Sequence, residues 1–125
     1  MYYHLLGDQC LWWVENDIGG PQTETGGEGL GVELQCMAYA YGTCDELNDQ
    51  TFYRYTIINR AGGNYTDTWL GVWVDADLGF AQDDYVQCEV MRSLGFAYNG
   101  FAVDGTGGPQ QYGEYPPAVG IGVLR

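Results

Sequence analysis

The sequence has no lysine and few basic residues of any kind. Its 125 residues hold 17 acidic side chains against four basic ones, a formal net charge of -13. The four basic residues form no cluster; they are Arg54, Arg60, Arg92 and Arg125. Such a chain repels phosphate backbones and anionic lipid headgroups, so we expect neither nucleic acid nor a membrane surface as a partner.

Long apolar runs are also missing. No stretch approaches the roughly 18 apolar residues of a transmembrane helix, so no membrane insertion is expected. The start, Met1 to Gly7, lacks the basic residue and the apolar run of a signal peptide. The chain is then either cytosolic or a mature or excised piece of an exported protein. The acidic, aromatic-rich composition and the sequon Asn64-Tyr65-Thr66 favour a secreted or cell-surface location, with Asn64 as a candidate glycosylation site.

Residue types used for catalysis are scarce. The single His4 and the single Ser93 lie near opposite ends of the chain, and neither belongs to a nucleophile motif. A pair of glycosidase carboxylates could be drawn from any of the 17 acidic residues, so that possibility carries no information. We therefore expect that the protein is not an enzyme.

The cysteine pattern does not indicate a zinc site. There is no C-x-x-C spacing and only one histidine. The four cysteines, Cys10, Cys36, Cys44 and Cys88, allow three disulfide pairings, or they are four small buried thiols. The sequence leaves these alternatives open.

Glycine and tyrosine are abundant, with 20 and 11 residues, which favours strands and tight turns. We predict one all-β domain over residues 1–125, an antiparallel β-sandwich or jelly roll of seven to eight short strands. In residues 32–41 the alternation places Val32 and Cys36 on one face and Met37 and Tyr39 on an outer face. Further strands are predicted at 11–14, 52–59, 69–74, 85–90, 94–98 and 118–125.

The predicted strand 69–74 is apolar on both faces. Trp69, Gly71 and Trp73 share one face, and aliphatic side chains occupy the other. We expect it to form a hairpin with residues 52–59, and either to be central in a sandwich or to pack against a partner chain.

An acidic loop follows that strand. Asp75, Asp77, Asp83 and Asp84 lie within ten residues and have no basic neighbour. Carboxylates held so close repel one another unless a cation joins them, and Ca²⁺ accepts several oxygen ligands in flexible geometry. We predict a calcium site on these four residues, with Asp104 or Glu89 as further candidates. The loop is not an EF-hand, and the alternative is a solvated turn whose carboxylates cap backbone amides.

Aromatic residues could stack on sugar rings. Tyr39, Tyr41, Tyr53 and Tyr55, with Trp12 and Trp13, form the candidate platform for a glycan. The competing interpretation, which we favour, is that these rings fill a core or a subunit interface.

Four segments in series resemble an uncharacterised domain of large secreted, surface-sorted proteins of Bacteroidota. They are Asn48 to Arg60 (NDQTFYRYTIINR), Trp73 to Glu89 with its Asp-Leu-Gly and Asp-Asp-Tyr-Val, Leu94 to Asn99 (LGFAYN), and Tyr112 to Gly120 with its Pro-Pro-Ala-Val-Gly. The resemblance covers roughly residues 32–120 and departs at Gln87-Cys88-Glu89, where Gly-Cys-Asp is expected. It implies an exported module stabilised by metal through Asp75, Asp77, Asp83 and Asp84, with no activity to carry over.

These observations predict an extracellular structural module, stabilised by calcium, that forms the repeating subunit of a surface filament. Residues 1–10 and 116–125 are candidate exchanged or edge strands, through which copies would self-associate. A carbohydrate-binding module is the alternative function.

Overall fold

The computed structural model describes residues 4–124. The chain divides into two compact units, Met1–Thr68 and Trp69–Arg125. Within the described residues the regular structure is three small antiparallel sheets and a few short 3₁₀ turns. The all-β class is thus confirmed, whereas the sandwich or jelly-roll arrangement and the single domain over residues 1–125 stay predictions.

The first unit contains a sheet of three strands that follow one another along the chain. β1 (Gln9–Asn16), β2 (Val32–Ala40) and β3 (Thr51–Asn59) pair in the order β1-β2-β3, all antiparallel. All three were predicted, and β1 is longer than expected.

The middle of β2 is buried on both of its faces. Cys36, Met37 and Ala38 are consecutive and all buried, and consecutive strand residues point to opposite faces. The prediction that Met37 lies on an exposed outer face was wrong, because β2 is the central strand and is covered on both sides at this point.

One carboxylate fixes the end of the long loop between β1 and β2. Asp17 accepts hydrogen bonds from the backbone N–H groups of Leu30, Gly31 and Val32, the last two at 3.0 and 2.9 Å. Desolvation by burial opposes ionisation, but these backbone hydrogen bonds together outweigh it and hold the pKa of Asp17 below its ordinary value. The Gly-rich loop is therefore anchored where it enters β2.

The second unit contains the other two sheets. β4 (Asp84–Glu89), β5 (Leu94–Asn99) and β8 (Ala118–Gly122) pair in the order β4-β5-β8, and the short strands β6 (Val103–Asp104) and β7 (Gly113–Glu114) pair with each other. The turn from β4 to β5 ends at Ser93, which has a left-handed backbone with φ 51°. Ala97 in the central strand β5 is 3% exposed and marks the core of this sheet.

Residues 69–74 do not form a strand in the described chain, so the predicted hairpin was wrong. β3 pairs instead with β2, from Val32 opposite Asn59 to Ala40 opposite Thr51. The apolar alternation of residues 69–74 is real, but β3 pairs only with β2, and its other edge has no strand partner among the described residues.

The first and last described strands, β1 and β8, pair within their own chain. β8 confirms most of the strand predicted at 118–125 and pairs with β5. At the other end, Asp8 donates its backbone N–H to the Ala40 carbonyl at 2.9 Å, just before β1. Residues 1–3 of the predicted N-terminal tail and residue 125 of the C-terminal one lie outside the described residues. Among residues 4–124 no helix is long and apolar enough to cross a membrane.

Candidate cation site

The acidic loop of the second unit folds around the carboxylate of Asp104. Asp104 is completely buried and accepts hydrogen bonds from the backbone N–H groups of Phe80, at 2.9 Å, and of Tyr112. Gly79 has φ +72°, and a Cβ added there would overlap the Asp104 carboxylate. Glycine is therefore required where the loop passes over this side chain.

Asp83 and Asp84 each have one oxygen held by the backbone and one without a partner. Asp84 Oδ2 accepts from Leu78 N at 2.8 Å, and Asp83 Oδ2 accepts from Gly105 N at 3.1 Å. The Oδ1 atoms of both residues are buried and accept no hydrogen bond. A buried carboxylate oxygen without a donor is costly, so each of these atoms calls for a partner such as a water or a cation.

Asn99 presents a third oxygen of the same kind. It lies directly opposite Asp84 in the β4–β5 pair. Its Nδ2 donates to the carbonyls of Phe101, at 2.8 Å, and Val103, at 3.3 Å, while its buried Oδ1 has no partner. Opposed strand residues share a face, so the Asn99 and Asp84 side chains lie side by side.

The other predicted ligands differ in their surroundings. Asp75 and Asp77 are exposed, and Asp77 lines an open depression of about 500 Å³ together with Gly79, Gln110, Gln111 and Tyr112. Glu89 is exposed and forms an ion pair with Arg92 at 3.3 Å. Asp104 is near the loop, as predicted, but both of its oxygens are already occupied by backbone donors.

The chemistry of the three buried oxygens indicates which kind of ligand the acidic loop could bind. Among residues 4–124 no three His, Cys, Asp or Glu side chains come together as a ready-made metal site. The oxygens that lack donors belong instead to two carboxylates and an amide. Carboxylate and amide oxygens are the ligand set of hard divalent cations, so the donor chemistry fits Ca²⁺.

Asn99 is a candidate ligand that the sequence did not predict. Residues 85–90 and 94–98 were predicted as successive strands, and an antiparallel hairpin would bring the end of the second beside the start of the first, where Asp84 lies. Without the strand register, however, no residue in 94–99 could be identified as the cross-strand neighbour of Asp84.

The predicted tyrosine platform is divided between the two faces of the first sheet. Tyr53 and Tyr55 alternate with Phe52 along β3, and Tyr39 lies opposite Phe52. Tyr39 stacks on Phe52 with a centroid distance of 5.3 Å, and Tyr41 packs edge-on against both rings. On the other face, Tyr53 and Tyr55 are exposed and parallel, 6.5 Å apart. A platform of all four rings was therefore wrong, because residues one apart on a strand point to opposite faces.

The cysteines are free thiols in the structure. Cys36 is buried, Cys10 is half-buried, and Cys44 and Cys88 are exposed. Burial raises the pKa of the Cys36 thiol, and the nearby charge of Glu15 raises it further.

The candidate glycosylation residue Asn64 is exposed in the loop that follows β3. An acceptor asparagine has to be accessible, and this one is. Its modification stays a prediction.

Comparisons with protein-family models, curated proteins and solved structures find no match to this chain, so its function has to be argued from its own geometry. The resemblance to Bacteroidota surface modules stays a prediction.

Proposed function

We propose that the protein is an extracellular structural module whose second unit is stabilised by calcium. The observation that carries the proposal is the set of three buried oxygens without hydrogen-bond donors on Asp83, Asp84 and Asn99. Bound calcium supplies positive charge to these oxygens, and Asp75 and Asp77 of the same acidic loop remain candidate ligands. The high negative charge of the chain further favours binding of a cation.

Calcium would act here on stability rather than on chemistry. It ties the loop before β4 to the end of β5, two segments that are otherwise joined at this point by the backbone hydrogen bond from Gly100 N to Asp83 O, at 2.7 Å. A secreted or cell-surface location agrees with this role, because calcium at extracellular concentrations fills even weak sites. Assembly of such modules into a surface filament is the wider function that we propose.

The test is thermal unfolding with and without a calcium chelator. We expect chelation to lower Tm by at least about 5 °C, since a ligand that binds only the folded state stabilises it by mass action. In Asp84→Asn the Tm should already be low and should not respond to chelator.

Glu28→Gln is the matched control, because it also removes one negative charge but lies in an exposed loop of the first unit. It should keep the full chelator response. An unchanged Tm on chelation, together with no heat of calcium binding in titration calorimetry, refutes the calcium site.

Carbohydrate binding is a second candidate function, favoured by the exposed parallel rings of Tyr53 and Tyr55. Flat, exposed aromatic rings offer the apolar faces that sugar rings stack on. If a glycan binds here, Tyr55→Ala should abolish the heat of binding to a soluble polysaccharide, and Tyr55→Phe should retain it because the ring remains. Equal binding by both variants would exclude this surface.

A further inference from the structure

The chain exposes more surface than its mass requires. Its solvent-accessible surface is 10603 Å² for a mass of 13.8 kDa. A folded monomer of this mass exposes about 6,600 Å², and even two separate domains of half the mass expose about 8,000 Å² together. The chain thus leaves more surface uncovered than an ordinary folded monomer of its mass.

The most exposed apolar stretch is residues 69–74, which we name the donor segment. Trp69 is 93% exposed, Trp73 89%, Leu70 78% and Val72 67%. The two Trp side chains alone present roughly 400 Å², about half of what one partner contributes to a standard interface of about 800 Å² per side. Such a stretch is an interaction site rather than ordinary surface.

The donor segment also has its backbone free. Within residues 4–124 none of its N–H or C=O groups forms a backbone hydrogen bond. Its side chains alternate between two apolar faces, so it can be inserted as a strand that is covered on both sides. An extended segment of this kind adds to the open edge of a sheet, where backbone hydrogen bonds give the affinity.

Within the described residues the two three-stranded sheets have four strand edges without a partner, and charge favours one of them. β1 carries Glu15 and β4 carries Asp84 and Glu89, whereas β8 is only five residues long and contains two glycines. β3 has nine residues and no acidic one, and all of it is exposed except Phe52 and Ile58. It is the longest edge that does not repel an acidic chain.

β3 also carries the one basic group that fits the ends of the donor segment. Arg60 pairs with Glu33 and Arg92 pairs with Glu89. Arg54 is exposed and has no carboxylate partner among the described residues. The donor segment is flanked by Asp67 and Asp75, so its negative ends complement this arginine.

We propose that the donor segment of one copy pairs antiparallel with the free edge of β3 in a second copy, with Asp75 opposite Arg54. This register places Val74 beside Tyr55 and Val72 beside Ile57, on one face of the sheet. The contact rests on the proposed self-association of the module, but not on its calcium site. It replaces the terminal strands, which pair within their own chain, as the means of assembly.

The contact is heterologous, because the donor segment lies in the second unit and β3 lies in the first. Each copy in such a contact therefore keeps an unused donor segment in its second unit or an unused β3 edge in its first. Repetition gives an open filament unless the rotation closes a ring.

Sedimentation velocity of the full chain over a range of concentrations tests this pairing. We expect the wild-type protein to form species larger than the monomer, in chelator as well as in calcium. Val72→Asp should remain a monomer with an unchanged circular dichroism spectrum. Val90→Asp is the matched control, since Val90 is 81% exposed and lies outside both proposed surfaces; this variant should assemble like the wild type.

The acceptor edge is tested separately with Arg54→Glu, which places a like charge opposite Asp75. We expect its association constant to fall by at least about tenfold. A synthetic peptide of residues 67–75, added in excess, should dissociate the wild-type assembly, and this measurement decides the matter if Val72→Asp does not fold.

Three results overturn the pairing. They are a wild-type protein that stays monomeric at all concentrations, an assembly unaffected by the peptide, and a monomeric Val72→Asp whose Tm falls as for a residue in the core of its own chain. Calcium binding is tested by the change in Tm and pairing by the size of the assembly in sedimentation. Failure of one proposal therefore does not affect the test of the other.

Discussion

A single carboxylate makes the fold of the first unit sensitive to acid. Asp17 holds the start of β2 through backbone hydrogen bonds, which lower its pKa from the ordinary 3.8. A carboxyl group with a lowered folded-state pKa stabilises the fold above its unfolded pKa, and the contribution is lost as the pH falls from 3.8 towards the folded value. We expect the Tm of the wild type to fall more steeply below about pH 4 than that of Asp17→Asn. Parallel Tm curves for the two proteins would contradict this role.

The residues of the candidate cation site differ in how far the sequence predicts them. Asp83 and Asp84 were predicted from local density of charge, which needs no knowledge of the fold. Asn99 was not predicted, because its place beside Asp84 depends on strand register. Asp104 was a candidate ligand, but its carboxylate accepts hydrogen bonds from backbone N–H groups instead. Local charge therefore identifies the acidic loop, whereas Asn99 is identified as a candidate ligand only by strand pairing.

At the scale of elements, β8 is an ordinary member of its sheet. It pairs with β5 from Leu94 opposite Gly122 to Tyr98 opposite Ala118, and it covers one edge of the strand that holds the buried Ala97. Deleting residues 118–125 should therefore destabilise the second unit rather than release a stable monomer. We expect loss of β-sheet circular dichroism and a lower Tm. A stable, folded, monomeric truncation would instead mean that the strand is exchanged between copies.

Apolar alternation alone does not decide which segments of this chain become strands. Apolar alternation predicted β2 and β3 closely, but the same signal in residues 69–74 is not accompanied by a strand within the chain. Alternation shows that a segment is suited to pair, and it does not say whether a partner edge is free. β2 occupies one edge of β3, and among the described residues neither the other edge nor the donor segment has a strand partner.

At the scale of the whole molecule, the charge of -13 should make stability depend on ionic strength. Self-repulsion of the folded chain weakens as salt shortens the Debye length to about 8 Å at 0.15 M. We expect Tm to rise smoothly with sodium chloride in the presence of chelator. Calcium in the millimolar range should add a further increase that an equal ionic strength of sodium chloride does not reproduce. A Tm that falls with sodium chloride would show that net repulsion is not the dominant electrostatic effect.

Each sheet is built from one part of the chain, and this affects the order in which the protein folds. All three strands of the first sheet lie before residue 60, and all strands of the other two sheets lie after residue 83. Every strand pair thus forms within one of the two units. A chain that emerges from a ribosome or a secretion channel from its N-terminus can complete the first sheet before the second unit has appeared. The β3 edge is then exposed while the donor segment of the same molecule is still being delivered.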